Sequence, residues 1–209
     1  MLTANEMEEC FVALVGERIL HRTMVENCAG ILSNGLIRPD QLAALAGVPA
    51  NSLALREDRV QLTVPGFCAR LNHQRPLLAG RNVQSDFLDG HTIRSWAENL
   101  DGRLFFWPEK GGDAFGNSLN ADGESFDFVL KSRAFFRRFG SLIDLSPINS
   151  GNARRKPARR GDWLYVNAND AAAFRYNRRD ITGKQSSDQV CEISLRADIA
   201  VDDLIMLLV

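Results

Sequence analysis

The chain has 209 residues, a formal net charge of −1, 45% hydrophobic and 24% charged residues, a balance that suits a globular protein with a real core and excludes a chain disordered throughout. Near-neutrality leaves no global field to draw it to nucleic acid or to a membrane surface. No apolar run approaches the roughly 18 residues a membrane helix needs, and Glu6, Glu8, Glu9 and Glu17 break the basic and apolar start of a signal peptide, so a cytoplasmic location is expected.

In chain order, residues 6–16 set Met7, Cys10, Phe11, Leu14 and Val15 at helical spacing, which predicts an amphipathic opening helix. Residues 18–23 (RILHRT) alternate as a strand does, and 24–33 return to helical spacing before Asn34-Gly35 ends that helix. A short helix follows over 39–47. Residues 65–78 are ambiguous, with Pro76 limiting any helix. Residues 86–100 read as helix and 103–107 (RLFFW) as a buried strand. Residues 111–123 are a loop rich in Gly, Asn and Asp. A strand over 126–130, a helix over 133–139, a strand over 141–145 and a loop over 146–151 follow. Residues 163–166 and 190–195 are strand-like, with a polar turn at 182–188 between them. No repeat or linker interrupts this order, which predicts one α+β domain spanning 1–209.

Common chemical motifs are missing. No Gly-x-Gly-x-x-Gly follows a strand, Gly183-Lys184 lacks the P-loop context, and there is neither a Gly-x-Ser-x-Gly elbow nor a His-Glu-x-x-His helix. Cys10, Cys28, Cys68 and Cys191 form no Cys-x-x-Cys pair, which predicts buried, reduced thiols and no zinc site. His21, His73 and His91 are too scattered for a metal centre.

Three features stand out instead. His21 and Thr23 share one face of the first strand, with Asn27 a turn beyond, so imidazole, hydroxyl and amide converge. The plainer account has Thr23 and Asn27 capping a helix and His21 satisfied in the core. Glu192 interrupts the apolar run Val190, Cys191, Ile193. Alternation allows it to face solvent, whereas a cleft position would let its carboxylate activate an acceptor or stabilise positive charge on a sugar. Third, residues 151–179 carry Arg154, Arg155, Lys156, Arg159, Arg160, Arg175, Arg178 and Arg179 against Asp162 and Asp170, a net +6 that leaves −7 for the rest. Trp163, Tyr165, Phe174 and Tyr176 are interleaved with them. Arginines beside aromatics suit a single-stranded nucleic-acid path, and a solvated loop is the plainer account.

Residues 20–36 (LHRTMVENCAGILSNGL) resemble the opening of the DarT-type ADP-ribosyltransferases, with their His-x-Thr-x-x-x-Asn signature and Ile-Leu-x-x-Gly-Leu helix end. Residues 190–205 (VCEISLRADIAVDDLI) are similar to the closing strand that carries that family's catalytic glutamate. RLFFW and residues 145–151 (LSPINSG) more closely resemble a bacterial relative of unknown function. The resemblance implies a split β-sheet cleft surrounded by helices, with His21, Thr23 and Asn27 holding NAD as co-substrate and Glu192 catalytic. It also implies a functional arginine, Arg59, with Arg56 and Arg103 as rivals.

The activity so implied is mono-ADP-ribosyl transfer from NAD. The acceptor expected from the 151–179 charge is nucleic acid, gripped by Arg154, Arg155, Lys156, Arg159 and Arg160. A toxin or phage-defence setting would bring an antitoxin or immunity partner. Phe105, Phe106 and Trp107 include candidates to stack on nicotinamide, with core packing as their plainer task. The alternatives are an RNA 2′-phosphotransferase on the same fold, which also consumes NAD, and a non-catalytic nucleotide or nucleic-acid binding module.

Overall fold

The computed structural model describes residues 2–82, 86–109, 124–154, 158–186 and 188–209. Helix α1 (Ala4–Val15) starts at a capping box in which the Thr3 hydroxyl accepts the Glu6 amide and the Glu6 carboxylate accepts the Thr3 amide. Its Phe11, Val12, Leu14 and Val15 are buried. Strand β1 (Arg18–Met24) leads into a 3-10 turn (Val25–Asn27) and helix α2 (Cys28–Asn34). Gly35 ends that helix with φ +85°, and a side chain there would meet the Ile199 carbonyl oxygen at 2.1 Å. Conformation and space both demand glycine.

Helices α3 (Pro39–Leu45) and α4 (Ala50–Leu53) precede a hairpin of β2 (Val60–Val64) and β3 (Phe67–Leu71). The stretch that reads ambiguously in sequence holds β3 and, over Arg75–Leu78, one turn of helix; Pro65-Gly66 turns the hairpin, with Gly66 at φ +92°, as the second central residue of a type II turn requires. The hairpin closes its own small core, in which Leu62, Val64, Ala69 and Leu71 pack with Leu42, Ala43 and Leu53. Cys68 points away from it and is exposed, while Cys10, Cys28 and Cys191 are half-buried. The thiols are therefore free but not sealed in the core.

After α5 (Arg75–Leu78), helix α6 (Ile93–Asp101) starts later than its sequence pattern suggests. Phe87 and Asp89 are held extended by backbone bonds to Arg160, and Thr92 then caps the helix. Strands β4 (Leu104–Pro108) and β5 (Ser125–Lys131) follow; the expected loop at 111–123 lies outside the described residues. Helix α7 (Ser132–Phe139), strand β6 (Ile143–Ser146) and a two-residue strand β7 (Val166–Asn167) come next. Residues 163–165 are not strand, because the Leu164 and Tyr165 amides turn back to Gly161 and Asp162. Helix α8 (Ala171–Tyr176), strand β8 (Glu192–Leu195) and helix α9 (Val201–Leu207) complete the order.

The fold is α+β, around a six-stranded antiparallel sheet ordered β5-β1-β4-β8-β6-β7. Helices α1, α7 and α9 pack on it through Phe11, Phe135, Phe136 and Leu204. A second core gathers Trp96, Phe87, Leu77 and Leu164 beside the 148–153 loop. Among the described residues, no helix is long and apolar enough to cross a membrane.

Candidate active site

A cleft of about 340 Å³ opens between the central strands, the β2–β3 hairpin and the 149–154 loop. Its position follows from how the sheet pairs. Strand β1 bonds β5 along its whole length but meets β4 only at Ile19↔Pro108 and Leu20↔Trp107. From Phe106 back to Leu104, β4 pairs with β8 instead. Where β1 and β4 part, the His21 side chain takes over: its Nδ1 bonds the Phe105 carbonyl oxygen at 2.9 Å.

A carbonyl only accepts, so Nδ1 carries the proton in that bond. Burial holds the imidazole below its ordinary pKa, against the opposing pull of the Phe105 carbonyl and Asp127. The ring is neutral at pH 7, and its Nε2 is an acceptor on a cleft-lining residue. Along β4 the aromatic residues alternate. Phe106 is fully buried against His21 and Phe135, while Phe105 and Trp107 line the cleft.

Thr23 and Asn27 also reach the cleft, and Asn27 does structural work there. Its Nδ2 donates to Thr23 Oγ1 at 3.1 Å and to the Arg70 carbonyl at 3.0 Å, while its Oδ1 accepts the Arg70 amide at 2.8 Å. Asn27 thereby pins the hairpin to the end of β1. The Arg70–Glu26 ion pair backs it up.

Glu192 is the first residue of β8, a strand buried throughout, and its side chain lines the cleft floor. The Ser150 hydroxyl donates to its Oε1 at 2.5 Å and the Ser150 amide at 3.3 Å. Burial pushes its pKa up to about 7, against the hydrogen bonds from Ser150 and the charges of Arg160 and Arg103. A carboxylate poised near neutrality in a cleft suits general acid–base or electrostatic work.

The loop that carries Ser150 is held from several sides. Trp96 Nε1 and Arg160 Nε both donate to the Ser150 carbonyl at 3.1 Å. Arg160 also reaches the carbonyls of Asn149 at 3.0 Å and of Asn152 and Ala158 at 2.6 Å. Arg178, equally buried, donates to the Pro147 carbonyl at 2.5 Å. Reading residues 151–179 as a charge run misses this: Arg160 and Arg178 are interior tethers, each 3% exposed.

The other arginines of that run are mostly paired. Arg159 bonds Asp89, Arg175 bonds Asp188 and Arg179 bonds Asp180. Phe174 is fully buried, and Trp163 donates to Asp89 at 3.1 Å. Arg154 is exposed at the cleft rim and makes no ion pair among the described residues. Arg155 and Lys156 lie outside the described residues.

All three candidate arginines reach the cleft: Arg59, Arg56 and Arg103. Arg56 is committed to Asp101 by two bonds of 2.6 and 2.9 Å. Arg103 bonds Asp144 at 2.6 Å and lies 3.6 Å from the Tyr165 ring centre.

Residues 17–205 match the model of a family of unknown function, DUF7002. The chain belongs to that family. No curated protein and no solved structure matches it. The DUF7002 match runs from just before β1 into α9, so it takes in every cleft residue described above. Ser150 escapes a reading of the DUF7002 chain by motif because serine is common in loops. Its one signal is its place in LSPINSG, where Trp96 and Arg160 both hold the Ser150 carbonyl.

Proposed function

We propose that this DUF7002 chain is an ADP-ribosyltransferase that cleaves NAD and transfers ADP-ribose to a nucleic-acid base in the cytoplasm. The observation that carries the reading is Glu192, a buried carboxylate fixed by Ser150 in a cleft that His21 also lines with an acceptor nitrogen. The cleft volume falls in the range of small-molecule sites, about 300–1,000 Å³. It also offers what NAD requires. Phe105 and Trp107 give aromatic faces for a flat ring, His21 Nε2 suits a ribose hydroxyl, and Arg59 and Arg154 suit the pyrophosphate.

In this reading the bond between ribose C1′ and nicotinamide nitrogen breaks, and its electron pair leaves with nicotinamide. Positive charge then builds on the ribose ring, where ionised Glu192 stabilises it more strongly than in the ground state. The acceptor nitrogen or oxygen bonds C1′, and Glu192 takes the proton that the acceptor gives up. The acceptor strand approaches over Arg154 at the rim. A 2′-phosphotransferase needs spare cations for a second phosphate. Arg56, Arg70 and Arg103 already face Asp101, Glu26 and Asp144, which favours ADP-ribosyl transfer.

The deciding experiment incubates purified protein and Glu192→Gln with labelled NAD, alone and with separate DNA, RNA and protein pools. Nicotinamide release with label fixed to a nucleic-acid pool is expected from the wild type and not from the variant. NAD left intact under every condition overturns the reading.

A further inference from the structure

We infer that Ser150 and Arg160 are a positioning pair for Glu192: Arg160 holds the 149–152 backbone from behind, and Ser150 turns its amide and hydroxyl onto the carboxylate in the cleft. The catalytic meaning of the pair rests on the reading of Glu192 given above; its effect on the carboxylate does not.

The geometry is a sandwich with one residue in the middle. Arg160 Nε donates to the Ser150 carbonyl at 3.1 Å, and on the other side the Ser150 hydroxyl donates to Glu192 at 2.5 Å. Both charged groups are 3% exposed. Among the described residues, the hydrogen bonds of Arg160 all go to backbone carbonyls, so no hydrogen-bonded carboxylate cancels its charge. Glu192 is the first and Tyr165 the second of the acidic groups whose field it feels. A buried cation and a buried anion held apart by one residue stabilise each other without direct contact, and removing either leaves the other uncompensated.

The loop has little room to rearrange. Trp96 shares the Ser150 carbonyl, and Asn149 Oδ1 accepts the Gly151 and Asn152 amides at 3.0 and 2.7 Å. The remaining charged and titratable groups about Glu192 come from other parts of the chain: Arg103 just ahead of β4, its partner Asp144 from β6, and Tyr165 ahead of β7. His21 lines the same cleft from β1, and its ring is neutral. Among the described residues the buried Tyr165 hydroxyl makes no hydrogen bond to Glu192, and the Ser150 side chain lies beside it.

The test follows the carboxylate itself. Protein labelled with 13C at glutamate carboxyls is titrated by NMR, with the Glu192 signal assigned by its loss in Glu192→Gln. In Ser150→Ala the Glu192 titration should move upward by about 1–2 pH units, the effect of removing a hydrogen bond to a charged group. Arg160→Met should move it in the same direction and Arg160→Lys by less. Nicotinamide release should show kcat at least tenfold lower in Ser150→Ala, with KM for NAD little changed. If Glu192 titrates at the same pH in Ser150→Ala as in the wild type, the pair does not set its state and the inference is wrong. Should Arg160→Met fail to fold, Ser150→Ala decides the matter alone. A wild type that releases no nicotinamide sinks the proposed function, while the titration still decides the positioning role.

Discussion

Asn27 and Arg70 exchange hydrogen bonds in both directions, the Asn27 amide group donating to the Arg70 carbonyl and accepting from the Arg70 amide. Side chain thus mimics a neighbouring strand for one residue of β3. The hairpin over the cleft owes its place to this contact, to Arg70–Glu26 and to Phe67, which lies 3.1 Å from where a side chain at Gly30 would begin.

Asn27→Ala should therefore loosen the hairpin before it weakens any direct ligand contact. A loss of about 0.5–1.5 kcal/mol per bond is expected, because the exposed Arg70 backbone groups can turn to water. The sharper readout is hydrogen exchange: amides of β2 and β3 should exchange faster while those of β1 and β5 hold. Uniform exchange across hairpin and sheet would remove the clamp from this account.

Much of the frame is legible in sequence because it is written locally. The stripe of α1, the alternation of β1 and the aromatic run of β4 each declare themselves within a few residues. The hairpin alternates, with Gln61, Thr63 and Arg70 outward and Leu62, Val64, Ala69 and Leu71 inward, and Pro65-Gly66 marks its turn, but each strand is only five residues long and Phe67-Cys68-Ala69 reads as an unbroken apolar run. Glu192 is legible as an oddity but not as buried. Alternation assigns faces, and the cover on the Glu192 face is the loop that carries Ser150, brought there from elsewhere in the chain. Arg160 is the hardest to read. A charge run treats each arginine alike, and which one enters the core depends on carbonyls at 149 and 150 and on the bridge to Leu88, none of them visible in the run itself.

His21 should act as a neutral acceptor. His21→Ala should weaken NAD binding by about tenfold or more, the loss of a ligand hydrogen bond and of the junction between β1 and β4. Because burial lowers its pKa from the ordinary 6.5, binding should not change through this residue between pH 7 and 8. Calorimetry on both proteins at both pH values checks the pair of statements. Equal affinity in wild type and His21→Ala would place NAD elsewhere.

Arginines of the 151–179 stretch should separate by partner, not by sequence. Arg154→Glu should weaken binding of single-stranded nucleic acid and flatten its salt dependence, since it removes a rim cation that makes no ion pair among the described residues. Arg175→Glu and Arg179→Glu should do less, because Asp188 and Asp180 already neutralise those side chains. Fluorescence anisotropy across a salt series measures the slopes. Equal slopes for all three reversals would return the stretch to a uniform basic surface.

Glu192 ties stability and activity to one titration. Its carboxyl rises from an ordinary 4.5 to about 7 on folding, chiefly through burial. Below pH 4.5 it is protonated in both folded and unfolded chains and contributes nothing to pH dependence. Between 4.5 and 7 the unfolded chain ionises first, so stability falls as pH rises, and above 7 the full penalty is present. A rise of that size corresponds to about 3 kcal/mol. Glu192→Gln removes the charge and keeps the shape, so its melting gain over wild type should be small at pH 5 and largest at pH 8. Activity should run the opposite way: if the anion stabilises the ribose cation, kcat/KM in the wild type rises with pH through about 7 and levels off. In Glu192→Gln turnover should fall by two or more orders of magnitude at pH 8, with a much smaller gap at pH 5, where the wild-type carboxyl is itself protonated, and with NAD binding retained. Urea midpoints and nicotinamide release, measured on both proteins at pH 5 and pH 8, test the two halves together. A stability gain identical at both pH values would show that the carboxylate is not desolvated, and wild-type turnover in the variant would remove Glu192 from the chemistry.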